Sequence, residues 1–456
     1  MDKKKKNRDK RMVSLLIGLT LVGGVAGYIF MDTFYGEGKL RGYFSQISQV
    51  DTSKSEENPI VSQGKMDIDE SSYSSFAIFG KNFLLSTKDG VKYFAEMGDH
   101  TWNDTFSMNT PQLVNEGDYA AVGDMSGKTI RVYNVEGLLY SVQAEGELMQ
   151  FALNANGYLS VISKKSDAYH IQIYNATGTL LKGRVEESAG TFPLCSDVSD
   201  DNQSFAVSYM DTSDIEPLGK VLFFYINLED SENYTDSMFA AVEKTEEVIP
   251  VIGFMEGGYL AAISDKFVYG ISSQGHETWS YTLQNKLQQV SLTNKEDVIL
   301  TLGDRLLDQE GYPVGTVLWI NHSGKESAQY EAGNEIDYLK SSKYGVVIGT
   351  GKDYFGLKPN GKLDWSYRAT SEIRDILPME SLEQVMLVSQ KEATITEMSG
   401  VQTEISNNTE EVQTEPEVVG GTEGLDQTQV VSETELAVEN ENAEQNEAET
   451  TVIEEP

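Results

Sequence analysis

Apolar positions in this chain fall in short runs of three to five residues, set apart by polar turns. Four of them are Phe83-Leu84-Leu85, Tyr119-Ala120-Ala121-Val122, Tyr158-Leu159-Ser160-Val161-Ile162 and Phe205-Ala206-Val207-Ser208-Tyr209. Four more are Tyr259-Leu260-Ala261-Ala262-Ile263, Val298-Ile299-Leu300-Thr301-Leu302, Val346-Val347-Ile348 and Val385-Met386-Leu387-Val388. They are rich in β-branched and aromatic residues and bounded by Gly, Asn and Asp, which predicts strands buried on both faces. Each is followed by a further strand that runs into a polar turn, as in Tyr133-Asn134-Val135-Glu136-Gly137, Tyr174-Asn175-Ala176-Thr177-Gly178 and Ile320-Asn321-His322-Ser323-Gly324. The closing Gly supplies the positive φ that a side chain would resist.

A phrase recurs on this background. Gly275 and Gly361 each open Gly, three residues, Trp-Ser-Tyr, and Gly98-Asp99-His100-Thr101-Trp102-Asn103 is a looser copy. The spacings are multiples of about 43 residues, the length of a β-propeller blade. Residues 65–400, divided by a repeat of about 42, give eight blades, with seven as the alternative. No amphipathic run of period 3.6 is long enough to support a helical solenoid. The expected fold is therefore all-β, an eight-bladed propeller. The last blade shows three strands, near Ile373–Leu377, Gln384–Ser389 and Ala393–Glu397. A ring needs its final edge covered. The missing strand is expected from residues near Lys65–Ile68, with Val401–Ile405 as the alternative.

Outside the repeats the pattern changes twice. Residues 1–11 carry seven Lys/Arg and two Asp, and an uncharged run of 20 residues, Met12–Met31, follows. At about 1.5 Å per residue it spans roughly 30 Å, a bilayer core. The basic flank stays cytoplasmic, which places everything after Asp32 outside. A cleaved signal peptide is the rival, since Gly24-Val25-Ala26 resembles a cleavage site, but the apolar run continues through Tyr28-Ile29-Phe30. An uncleaved anchor is the favoured reading. Residues 32–64 read as a polar stalk. Residues 401–456 hold 16 Asp/Glu and no Lys or Arg, so a disordered acidic tail is expected there.

Charge and cysteine content narrow the partners. A net charge of −37 argues against nucleic acid. Cys195 is the only cysteine, so no intrachain disulfide or Cys-based zinc site can form, and a bacterial source is indicated.

Candidate chemistry is sparse. Gly123-Asp124-Met125-Ser126-Gly127-Lys128-Thr129 has three residues between its glycines where a phosphate loop needs four, and a strand follows it, so it reads as a hairpin turn. His100, His170, His276 and His322 lack a second His at metal spacing. Asp197, Asp200, Asp201 and Asn202 lack the alternating ligands and closing Glu of a calcium loop and read as a solvated turn. Asn-x-Ser/Thr triplets at Asn103, Asn175, Asn202, Asn233 and Asn321 read as turn chemistry. No nucleophile elbow, sortase signal or lipid-anchored Cys is present. A quinone cofactor would be expected beside a vicinal Cys pair, which the chain lacks. Trp102, Trp279 and Trp365 therefore read as packing between blades. No catalytic residue, cofactor or metal ligand is assigned.

The stretches Gly117–Asp124 running into Thr129–Asn134, and Ser204–Tyr209, carry a resemblance. With the basic start and the apolar run, they resemble an uncharacterised family of single-pass, membrane-anchored β-propeller proteins of Gram-positive anaerobes. The Trp-containing strands are similar, more distantly, to quinoprotein-like and WD40-like propellers and to the lipoprotein propeller of outer-membrane assembly. The resemblance implies a fold and a location but no activity. Two functions follow as expectations: a non-enzymatic binding or scaffold module with a protein or cell-envelope partner, or an enzyme or ligand sensor with its site in the central channel.

Overall fold

A computed structural model describes residues 61–68, 74–95, 100–307 and 313–398. The expected anchor Met12–Met31, nearly all of the stalk and the acidic segment 401–456 lie outside these residues. Eight four-stranded antiparallel sheets form the blades. Seven are consecutive in sequence: residues 75–105, 111–143, 147–186, 191–245, 251–282, 286–332 and 338–368. Blade 8 takes three strands from residues 373–397 and its outermost strand from Val61–Asp67. That strand pairs with Glu392–Glu397, Val61 opposite Glu397 and Asp67 opposite Glu392. The ring thus closes through the N-terminal of the two expected segments, which begins a few residues before Lys65. Arg374 of blade 8 also donates to the Ser74 hydroxyl at 3.0 Å, just ahead of blade 1.

Within a blade the strands run from the channel outward. The apolar runs seen in the sequence are the second strands. Tyr259–Ile263 is buried at every position, and so are all but the last residue of Ser204–Asp211. Fourth strands alternate instead, as in Glu277–Thr282, because only one face meets a neighbouring blade. The core is divided accordingly. Each of eight apolar clusters fills the space between two neighbouring blades: Leu84 and Tyr93 of blade 1 with Val122 and Tyr133 of blade 2, for example, and Phe83 of blade 1 with Met386 of blade 8.

The turn between the third and fourth strands explains the spaced glycines. In blades 3, 5, 6 and 7 the N–H of Gly178, Gly275, Gly324 and Gly361 donates to the carbonyl three residues earlier, at 2.8–2.9 Å, with φ between +73° and +77°. Each turn also rests on the fourth strand of the preceding blade. A Cβ on Gly275 would lie 2.1 Å from Ala240 Cβ, and one on Gly324 would lie 2.6 Å from the Trp279 ring. Glycine is required there twice over, for the backbone and for the neighbour.

Candidate functional site

Two kinds of turn share one face of the ring. First-to-second-strand turns lie near the axis, and third-to-fourth-strand turns lie at the rim. The chain enters and leaves on this same face, since Val61 pairs with Glu397 and the Met398 N–H donates to Glu383 O in the inner turn of blade 8.

At the axis the inner turns bring ionisable groups together. Lys295 lies in the inner turn of blade 6, and its ammonium is 3.9 Å from the Glu116 carboxylate, at the end of the first strand of blade 2. These blades are opposite one another in an eight-membered ring, so the pair spans the channel mouth. Lys295 Nζ also donates to Phe254 O of blade 5 at 3.0 Å. The Phe254 N–H donates to Asp197 Oδ2 of blade 4 at 2.8 Å, and the Val198 N–H donates to Asp197 Oδ1 at 2.9 Å. The Lys295 backbone is left-handed, φ +60°, which is uncommon for lysine, and its carbonyl accepts the Glu256 N–H at 2.8 Å. Blades 3 and 4 are sewn together beside it by Asn154 Nδ2, which donates to Ser199 O at 3.0 Å and to Asn202 Oδ1 at 2.7 Å.

Burial dominates the electrostatics. It pushes the Glu116 carboxyl up to about 7 against the pull of Lys295, with Asp197 and Asp200 adding to the rise. The Asp197 carboxyl is likewise raised by burial. Burial works to lower the Lys295 ammonium, but Asp197, Glu116 and Asp200 outweigh it and hold its pKa above the ordinary value. A lysine kept protonated is neither base nor nucleophile at neutral pH. The arrangement acts as a bolt across the channel mouth, with one carboxyl that exchanges its proton near neutrality. The Cys195 thiol, pushed up to about 12 by burial, offers no nucleophile either.

At the rim the pattern is apolar and acidic. Among the described residues, exposed large apolar side chains gather where the fourth strands of blades 2 to 4 begin. Blade 2 presents Val135, Leu138 and Leu139, and blade 3 presents Leu180, 49% exposed, and Leu181. Blade 4 adds Tyr234 and Met238 from its longer outer connection. The outer connections of the three blades touch one another. The Gly178 turn sits on the Tyr140 ring, Lys182 Nζ donates to Ser237 Oγ at 2.7 Å, and Arg184 is 3.7 Å from Asp236. The outer connections of these blades carry Glu136, Glu229, Asp230, Glu232 and Asp236 and no Lys or Arg. A separate open groove of about 390 Å³, between blades 7 and 8, holds the Lys358–Asp364 ion pair at 2.6 Å.

The three tryptophans singled out in the sequence lie on the outermost strands of blades 1, 5 and 7 and are not brought together. Each indole N–H donates to the next blade: Trp102 to Val135 O at 3.0 Å, Trp279 to His322 O at 2.8 Å and Trp365 to Leu382 O at 2.9 Å. Gly270 and Gly356, across from Trp279 and Trp365, leave room for the rings, since a Cβ would come within 2.2 Å of them. His276 and His322 are exposed in turns, and among the described residues no group of three His, Cys, Asp or Glu could hold a metal ion. Gly123–Thr129 is a hairpin turn, with the Gly127 N–H on Asp124 O at 2.9 Å. Asp197 corrects the reading of its acidic run as a solvated turn. It lies one residue before the end of the innermost strand of blade 4 and is 6% exposed, because that strand points its carboxylate toward Phe254 of the neighbouring blade.

Together these features define a class: an eight-bladed β-propeller closed by its N-terminal strand. Within it the chain belongs to DUF5711, a family of unknown function, whose profile matches residues 54–398. BamB from Moraxella catarrhalis is similar in structure, at TM-score 0.46 and 12% identity over 74% of this chain and 100% of that one. Sqt1 from Chaetomium thermophilum gives TM-score 0.49 and 11% identity over 74% and 99%. The Pan2 WD40 domain of Neurospora crassa gives 0.42 and 8% over 64% and 90%. No curated protein matches the sequence.

Proposed function

We propose that this protein is a membrane-anchored, extracytoplasmic propeller acting as a non-enzymatic binding or scaffold module at the cell envelope. The observation that carries the binding role is the set of exposed apolar side chains gathered on the turn face of blades 2 to 4. Single exposed apolar side chains are ordinary, whereas a gathered set marks an interaction surface. The basic residues 1–11 and the apolar run Met12–Met31 support the anchor and its orientation.

A photoreactive residue at Leu181 in cells should crosslink to a protein, whereas one at Ile215, 93% exposed on the opposite face, should not. Protease added to intact spheroplasts should digest the propeller. Equal crosslinking from both positions, or full protection from protease, would refute this function.

The bolt at the channel mouth favours a second reading, a ligand sensor in the channel. Its test is whether Lys295→Met alters binding of any small molecule to the purified chain.

A further inference from the structure

The geometry points to a basic, amphipathic protein segment as the occupant of the turn face of blades 2 to 4. This rests on the binding role proposed above and adds the chemistry of the partner. Two features coincide there. Exposed apolar side chains recur on three adjoining blades, whose outer connections touch: the blade 3 turn is seated on Tyr140 of blade 2, and Lys182 and Arg184 are held against the blade 4 connection. Every ionic group on the outer connections themselves is a carboxylate: Glu136, Glu229, Asp230, Glu232 and Asp236. Glu229, Asp230 and Glu232 are exposed in the single helical turn region of blade 4. Two cations lie nearby: Lys182, which keeps its charge while it donates to Ser237, and Arg184, which is paired with Asp236 and Glu186.

Apolar side chains bordered by an excess of negative charge match a segment with one apolar face and Lys or Arg along its border. They oppose an anionic bilayer, which would meet like charge, and they oppose an acidic peptide for the same reason. Exposed charge of this kind is screened beyond about 10 Å at 0.1 M salt, so the interaction should be salt-sensitive while its apolar part persists.

The test uses the full chain in phosphatidylcholine nanodiscs, with empty nanodiscs as the blank. The probe is a fluorescent amphipathic Leu/Lys peptide of about 18 residues, beside a Leu/Glu peptide of the same pattern. The Leu/Lys peptide should bind and the Leu/Glu peptide should not. Leu139→Asp with Leu181→Asp should weaken binding by about tenfold or more. Glu229→Gln with Glu232→Gln, on an exposed connection where folding is not at stake, should weaken it several-fold and flatten its salt dependence. Equal affinity for the two peptides, or unchanged affinity in both double variants, overturns the inference. Displacement of the Leu/Lys peptide by phosphatidylglycerol vesicles, with the vesicles bound to the same residues, also overturns it in favour of a membrane. Capture in cells, through Leu181, of a protein lacking a basic amphipathic segment overturns this inference and leaves the binding role standing.

Discussion

Replacing Glu116 by Gln should stabilise the propeller at pH 8, although it removes one side of an ion pair. The carboxyl is raised from its ordinary value of 4.5 to about 7, first by burial and then by Asp197 and Asp200, with Lys295 opposing. Its side chain is 18% exposed, so solvent relieves little of that burden. At roughly 1.4 kcal/mol per pH unit, the rise corresponds to about 3 kcal/mol. The sign follows from proton binding. Between pH 4.5 and about 7 the folded chain holds a proton that the unfolded chain has released, so stability falls as pH rises through this window. Below the window Glu116 is protonated in both states and resembles Gln. Above it the folded state carries a buried negative charge that a single lysine, shared with Asp197 and Asp200, compensates only in part. Urea unfolding of the wild type and of Glu116→Gln, at pH 5, 6, 7 and 8, isolates Glu116 with the groups coupled to it, because titrations of all other groups cancel in the difference. The variant should match the wild type near pH 5 and exceed it by about 3 kcal/mol at pH 8. A difference that is flat with pH, or that favours the wild type increasingly as pH rises, would show that Glu116 is not buried against the channel cluster as described.

Two further outcomes are expected. Trp365→Phe removes an indole N–H that donates to Leu382 O from a residue 1% exposed, so the melting temperature should fall by several degrees, corresponding to about 2 kcal/mol; the same change at the partly exposed Trp102 should cost less, and equal shifts would contradict the difference in burial. Deleting residues 61–68 strips the outer strand from blade 8 and takes Ile68 out of the cluster between blades 8 and 1, so the melt should move down and the bared Glu392–Glu397 edge should promote association; an unchanged melt and a monodisperse product would refute closure by this strand.

What the sequence made legible follows from where each strand sits. Second strands are buried on both faces, so Tyr259–Ile263 and Val298–Leu302 read as continuous apolar runs. The Gly-Trp phrase stood out because a glycine turn and an indole recur at the same step of the outer strand. Apart from Ile373–Leu377, the first strands were not picked out from the sequence. Pro111–Glu116 is half-buried at every position, Leu113 packing toward blade 1 and Val114 toward blade 3, so no alternation or run announces it. The axial cluster was missed for the same reason. Glu116, Asp197 and Lys295 are far apart in the chain and meet only through ring closure. Lys295, within Asn294-Lys295-Glu296-Asp297, looks like any solvated turn. The one local oddity, its left-handed backbone, is not visible in sequence.

The two sets of turns carry out different work because of how a propeller diverges from its axis. Inner turns converge, so a few charged residues from separate blades meet across the mouth of the channel. Outer turns spread apart, so side chains there are presented to partners. The chain enters through Val61 on this same face, and an anchor at Met12–Met31 would join it by some thirty residues, which can span at most about 100 Å. A partner held by blades 2 to 4 would then sit on the face from which the chain leads back to the anchor. The acidic border of the band matters in that setting. It repels anionic headgroups and so keeps the apolar side chains available to a basic protein segment instead of losing them to lipid. Neutralising Glu229 and Glu232 should therefore have two consequences at once, weaker binding of the cationic peptide and stronger adhesion of the turn face to phosphatidylglycerol. A surface evolved to lie on the membrane itself would show the opposite preference before any substitution is made.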